Sequence, residues 1–322
     1  MKRFAFSWLV AAALGGSATT ALAEGTYPSQ PLNLIVPFSA GSQPDILARA
    51  MADGLSTTLG RPVLVLNKEG ASGVIAVAAV AAAAPTGYTL GFGPPGQFST
   101  QPHLRKNLGY TLGSFEVICQ TNSAAFVIAV GPGSAYQSLG QWLDAARAAP
   151  GKLTFATLGF AVSPHLIVES IAQEADVKLT NVPFKNSGDM VVQTINGSVA
   201  AVSSTPVVLV PGSGVRPLVV ISQDRLAAFP ETPTLRELGF KRYDFPGLVA
   251  LGVYAPRGIP AEVSRTLRAA CAKAVELPVA RAAATKTSSP VAYADGPVYG
   301  ERLEQGYRDV GALLDSLGIK EE

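Results

Sequence analysis

Leu32-Asn33-Leu34-Ile35-Val36-Pro37-Phe38, followed by Ser39-Ala40-Gly41-Ser42-Gln43-Pro44-Asp45, is the stretch that decides the fold. A short apolar run with little polar alternation reads as a strand covered on both faces. Small residues follow it. Pro44, inside a possible Ser42-x-x-Asp45 capping pair, then opens a helix over about 44–59. The rhythm repeats outward: a strand at 62–66, a turn at 67–73, an apolar helix from 74 and a strand at 88–92. It resumes with strands at 126–130 and 153–157, helices at 138–149 and 164–175, and strands at 199–203 and 218–221. Helices are predicted near 261–276 and 298–317, the last with a core-facing stripe of Leu303, Tyr307, Val310, Leu314 and Leu317. Strand–turn–helix alternation predicts an α/β protein with parallel sheets and helices on both faces.

At 322 residues the chain is long enough for two lobes. It is 48% hydrophobic and 15% charged, which excludes a disordered or coiled-coil chain. Its formal charge of +2 depends on the N-terminus. Lys2 and Arg3 are the only charged residues before Glu24; without them 23 basic residues face 23 acidic ones. Nothing in that balance supports nucleic-acid binding.

Met1-Lys2-Arg3 precedes eleven largely apolar residues, Phe4 to Leu14, then small and polar residues and Ala21-Leu22-Ala23. This is the pattern of a cleavable signal peptide over residues 1–23, too short in its apolar part to span a bilayer. No Cys follows the cleavage site, so no lipid anchor is expected. The mature chain is expected to be exported, periplasmic and not embedded in a membrane. The apolar run from Val74 to Ala84 is also too short to cross one.

Cys119 and Cys271 are the two cysteines. Sequence cannot bring them within reach of each other, and two separately buried thiols are the expectation. Gly91-Phe92-Gly93-Pro94-Pro95-Gly96 matches a dinucleotide fingerprint in letters only. Pro94 and Pro95 have no N–H to offer a pyrophosphate, and the strand before them is the third in the chain. No metal or catalytic motif appears. His103 is expected in a solvated loop; His165, after Pro164 at a helix start, is explained by capping and packing. No cofactor and no metal are predicted.

Three strand-to-helix turns combine small residues with a helix start: 38–45, 67–73 and 157–165. Each leaves backbone N–H groups and a helix dipole that attract an anion. Such turns fall outside the carboxyl ends of strands, where open α/β sheets bind ligands. They also occur in α/β proteins that bind no anion.

Family segments occur in order along almost the whole chain: Tyr27-Pro28-Ser29-Gln30-Pro31, Val36-Pro37-Phe38, Asp45-Ile46-Leu47-Ala48-Arg49, Gly60-Arg61-Pro62-Val63, Asn67 and Gly70-Ala71-Ser72-Gly73. Further on come Pro85-Thr86-Gly87-Tyr88-Thr89, Pro150-Gly151-Lys152-Leu153, Ser163-Pro164-His165-Leu166 and Val182-Pro183-Phe184-Lys185. Pro233-Thr234, Glu237, Gly239 and Tyr254-Ala255-Pro256 complete the set. The chain resembles the extracytoplasmic substrate-binding receptors of tripartite tricarboxylate transporters, the Bug-type solute receptors.

That resemblance implies a two-lobed Venus-flytrap fold of the type II-like periplasmic binding protein class, with its ligand cleft between the lobes. Lobe one would combine residues 24–125 with 249–322, and lobe two would be 126–248. The ligand would be a small organic carboxylate, passed to the membrane permease subunits of a tripartite transporter by a monomeric receptor. By position, Ser39, Ala40, Gly41, Ser42 and Gln43, then Gly70, Ala71, Ser72 and Gly73, would grip it from lobe one. Thr157, Gly159 and Ser163 would do so from lobe two, with the segment from Lys185 to Asp189 closing the far side. Lys68 and Lys185 are possible helpers. The chain departs from the family at Gly41-Ser42, where two glycines are usual, and at Thr86 and Ala200, where an acid is usual. Phe160, Ala161, Val162, Pro94, Pro95 and Phe98 predict an unusually apolar cleft, suited to a monocarboxylate or aromatic acid. Two other readings remain open: a receptor docking on a membrane sensor kinase, and an exported hydrolase using His165.

Overall fold

A computed structural model describes residues 27–209, 212–242 and 245–319. The expected signal peptide over residues 1–23 lies outside the described residues.

The opening strand, β1 (Leu32–Val36), is buried at four of its five positions. It leads into α1 (Gln43–Leu59), which Gly60 terminates in the left-handed conformation, φ 67°. β2 (Val63–Asn67) alternates buried and exposed side chains, as an edge strand does. Then come α2 (Val74–Ala81), β3 (Thr89–Gly93) and two single turns, α3 (Gly96–Ser99) and α4 (Gln101–Leu104). β4 (Phe115–Ser123) is followed after two residues by β5 (Phe126–Val130). The middle of the chain holds α5 (Leu139–Ala148), β6 (Thr154–Thr157), α6 (Ser163–Glu174), β7 (Thr180–Pro183), α7 (Ser187–Ile195), β8 (Ala201–Ser204) and β9 (Arg216–Ile221). The chain ends with α8 (Pro246–Val249), β10 (Ala250–Pro256), α9 (Ala261–Ala274), α10 (Pro278–Lys286), β11 (Val291–Asp295) and α11 (Gly296–Ser316).

Two sheets result, ordered β11-β4-β10-β3-β1-β2 and β7-β6-β8-β5-β9. Neither is purely parallel. β10 runs antiparallel to both β3 and β4, and β5 antiparallel to both β8 and β9. β10 and β5 are the first strands after each passage between sheets, so each enters from the edge the chain has just reached. Local hydrophobicity does not encode that direction. β4, β7, β10, β11, α3, α4, α7, α8 and α10 were not legible as elements: most are short or exposed, β10 is uniformly apolar, and β4 ends in the polar run Gln120-Thr121-Asn122-Ser123.

The stripe on α11 is buried at Leu303, Val310 and Leu314, but Tyr307 is 39% exposed. Tyr307 instead stacks on His103 with ring centroids 4.2 Å apart, and His103 Nε2 lies 2.8 Å from Tyr307 O. His103 is therefore docked on α11 and not simply solvated. The cysteines also require a correction: Cys119 on β4 and Cys271 on α9 form a disulfide. Both are fully buried, and α9 packs across β4, which brings their Cα atoms to 6.6 Å.

An edge-to-face cluster of Phe98, Tyr110, Phe115 and Tyr254 fills the space beside β3 and β10. A Cβ on Gly91 would sit 2.2 Å from the Tyr254 ring, so the first glycine of the apparent dinucleotide fingerprint makes room for packing.

Candidate functional site

Strand directions locate the site. β1, β2, β3 and β4 all run the same way, and β10 and β11 run against them. In the second sheet β6, β7, β8 and β9 share one direction and β5 opposes them. β4 leaves its sheet at the carboxyl edge, and Ala124-Ala125 delivers the chain to the matching edge of the second sheet. There the two passages touch, Ala124 N–H donating to Val249 O at 2.6 Å. The carboxyl edges of both sheets therefore meet along one cleft, and the turns after β1, β2, β6 and β7 lie on it.

The turn after β1 is held by a buried carboxylate. Asp45, 1% exposed, accepts from Gly41 N–H at 2.8 Å, Arg49 Nε at 2.9 Å and Asn67 Nδ2 at 2.8 Å. Burial pushes the Asp45 carboxyl up, but bonds from Arg49, Asn67 and Gly41 outweigh it and hold the group below the ordinary carboxylate range. Asn67 also donates to Phe38 O at 2.8 Å, tying the end of β2 to this turn. Ser42 Oγ does not cap α1; it donates to Ser39 O at 2.7 Å, and Ser42 N–H goes to the same oxygen at 3.2 Å. Gln43 turns its amide to Ser289 Oγ and Thr287 O, at 2.8 and 3.2 Å. The Gly41 and Ser42 amides and the Gln43 side chain thus hold the turn in shape, while Ser39, Ala40 and Gly41 are exposed.

The turn after β2 is backbone under strain. Gly70, Ala71, Ser72 and Gly73 have φ of 119°, 47°, 54° and 89° in succession. Two of them carry a Cβ in the left-handed region, a conformation that persists only when its surroundings impose it. Gln97 Nε2 donates to Ser72 O at 3.2 Å, and Gly73 N–H to Gly70 O at 2.9 Å. A Cβ on Gly73 would meet Gln97 Nε2 at 2.5 Å.

The turn after β6 is pinned by His165. Its Nδ1 accepts the Ala161 N–H at 2.8 Å, so in the neutral ring Nε2 carries the proton, 3.5 Å from Glu169 Oε1. Ala161 itself sits at φ 53°. The buried Thr157 hydroxyl lies 2.7 Å from Gly159 O and 2.8 Å from Asn181 Oδ1; its single proton serves one of them at a time. Ser163 occupies the first turn of α6, whose N-cap is Val162, and its hydroxyl has no partner among the described residues. The amides of Ala40, Gly159 and Phe160 are likewise untaken among the described residues. Beyond β7, Lys185 is exposed, while Asp189 is engaged with Asn186, the N-cap of α7, in bonds of 2.7 and 2.8 Å. Ala200, the departure from the family pattern, donates its N–H to Thr154 Oγ1 at 3.3 Å.

The predicted residues thus form two groups. The β1–β2 register and Asn67 join the first two turns, and the β6–β7 register joins the turn at 157–163 to Lys185. Two partly open hollows, of about 440 Å³ beside Ser170 and Leu313 and about 510 Å³ beside Gln120 and Tyr293, lie elsewhere between the sheets. Neither is lined by the turns. Of the six residues expected to make the cleft apolar, Phe98, Pro95 and Ala161 are buried in the fold, and Phe160 is 59% exposed. Sequence reasoning gave Asp45 only a possible capping role beside Ser42, and gave none to Arg49, Asn67, Gln97 or Asn181. An acid and an arginine four apart at a helix start was the one local signal among them.

Two mixed sheets meeting at their carboxyl edges define the periplasmic-binding-protein class of fold. The solved periplasmic binding protein BugD superposes on the chain with a TM-score of 0.76 at 25% identity, covering 92% of this chain and 100% of that one. A protein of R. palustris solved with adipate superposes with a TM-score of 0.78 at 24% identity, covering 92% and 100%. Protein BugT of Bordetella pertussis is 32% identical over 238 residues, 72% of each chain. The model of the tripartite tricarboxylate transporter family receptor matches residues 47–318. The chain belongs to that receptor family, whose members are solute receptors and not enzymes. His165 accepts the Ala161 amide proton and so has a structural role in the turn.

Proposed function

We propose that the chain is an extracytoplasmic receptor, periplasmic after removal of residues 1–23, that captures a small organic carboxylate and passes it to permease subunits of a tripartite transporter. Residues 24–125 with 249–322 form one jaw and residues 126–248 the other. The observation that carries this reading is a set of donors on the cleft edges without a partner among the described residues, among them the amides of Ala40, Gly159 and Phe160 and the Ser163 hydroxyl. Hydrogen bonds to a charged group are worth about 1.5–3 kcal/mol each, so four supply roughly 6–12 kcal/mol before the costs of association. A micromolar ligand needs about 8 kcal/mol net. No arginine clamp is required, and the exposed Lys185 adds long-range attraction. The adipate held by the R. palustris relative supports a carboxylate as the ligand class.

Calorimetry with a panel of organic acids and their methyl esters tests the reading. At least one acid is expected to bind, its ester much more weakly. Ser163→Ala should weaken the acid by about 1.5–3 kcal/mol, one hydrogen bond to a charged group. Equal retention of acid and ester would overturn it.

A further inference from the structure

The turn between β6 and α6 holds two large apolar side chains out in solvent. Leu158 is 40% exposed and Phe160 59% exposed, on either side of Gly159, whose φ is 133°. Leaving such surface in water opposes folding. The turn does not need either side chain for its shape, because the His165 bond to Ala161 and the Thr157 hydroxyl already hold it. Nor is the Phe160 ring loose: it lies 5.1 Å from the His165 ring, inclined at 45°, and His165 is buried. An apolar wall is thus presented next in the chain to the Ser163 hydroxyl and the amides of Gly159 and Phe160, which have no partner among the described residues.

Charge around the cleft edges is sparse. Lys68 and Lys185 are exposed there without an ion pair among the described residues, and Glu69 and Asp189 stand close to them in the chain. Arg49 is committed to Asp45. Each lysine thus has an acid near it in the chain, so the charge along these edges is close to balanced and gives no added attraction for a second carboxylate.

We propose that Phe160 and Leu158 are specificity-determining residues that pack against the body of the ligand, and that the ligand is a monocarboxylate with an apolar, ring-sized body. This rests on the carboxylate reading above.

The test compares phenylacetate, adipate and neutral phenylacetamide by calorimetry on the purified chain and on Phe160→Ala, Phe160→Leu, Leu158→Ser and Ser163→Ala variants. Thermal melts without ligand verify that each variant folds. Phenylacetate is expected to bind about ten-fold or more tightly than adipate, and Phe160→Ala to remove about ten-fold of that affinity. Phe160→Leu should keep most of it, Leu158→Ser should lose a smaller part, and adipate should change by less than about two-fold in the Phe160 variants. Adipate binding as tightly as phenylacetate, an equal loss for both acids in Phe160→Ala, or no binding of phenylacetate at millimolar concentration would overturn the proposal. The two readings fail separately. Ser163-dependent adipate binding that ignores Phe160 leaves the carboxylate receptor standing and removes the apolar selector. Phenylacetamide bound as well as phenylacetate, in a Phe160-dependent way, does the reverse.

Discussion

Asn67 Nδ2 donates to Asp45 Oδ1 at 2.8 Å, although 22 residues separate them in the chain. The bond joins the end of β2 to the first turn of α1, and Arg49 Nη2 closes the triangle at 3.0 Å to Asp45 and 3.2 Å to Asn67. One buried carboxylate thereby sets the shape of two cleft turns. Its consequence is structural: the turn after β1 and the end of β2 are tied to each other through one side chain.

Asp45→Ala is expected to lower stability by about 1–3 kcal/mol in urea, because the Gly41 N–H and the Asn67 amide lose their acceptor. The pH dependence has a definite sign. The Asp45 carboxyl is depressed in the folded chain, so its contribution is complete above the unfolded value of about 3.9 and fades as pH falls through the lower folded one. Below about pH 4 the parent should lose stability more steeply than Asp45→Ala. Parallel curves would contradict the assignment.

Two glycines with left-handed φ should answer differently to alanine. At Gly60, φ 67°, nothing lies within 4 Å of a new Cβ, so the cost is the conformational one of about 1–2 kcal/mol. At Gly73, φ 89°, the Cβ would also press on Gln97 Nε2 at 2.5 Å and Pro37 Cβ at 3.0 Å. Gly73→Ala should therefore melt lower than Gly60→Ala, and it alone should weaken ligand binding.

His165→Leu leaves the Ala161 N–H without its acceptor in a buried turn. A loss of about 1–3 kcal/mol is expected. Hydrogen exchange at the Ala161 amide is the direct readout, and it should speed up markedly. An unchanged exchange rate would show that the turn holds its shape without the imidazole.

Reducing the Cys119–Cys271 bond opens a crosslink of 152 residues in sequence separation. Its removal should cost about 2–5 kcal/mol, measured by urea unfolding with and without dithiothreitol. Both sulfurs are in the core away from the cleft turns, so ligand affinity at low urea should change little.

Much of the first sheet was legible locally. The uninterrupted burial of Leu34, Ile35 and Val36, the Pro44 helix start and the Gly60 stop each depend on residues within one or two turns of each other. The ordered family segments, from Val36-Pro37-Phe38 to Tyr254-Ala255-Pro256, pointed to the receptor family and to the turns that carry the candidate site. The roles inside those turns were not legible. Gly41, Ser42 and Gly73 looked like free donors, yet their amides are spent on Asp45, Ser39 and Gly70. Phe98 looked like cleft lining and is buried among aromatic rings.

The division follows the range of the forces. Strand and helix starts, the helix stops and the apolar runs come from contacts between near neighbours, so their pattern can be read along the chain. Which way β5 and β10 run, that Cys119 meets Cys271, and that Asp45 captures the Asn67 donor all depend on surfaces brought together across longer separations. A hydrogen-bond donor is free or spent only relative to what packs beside it, and that neighbour takes its place only once the sheet has formed and its turns and helices have packed against it.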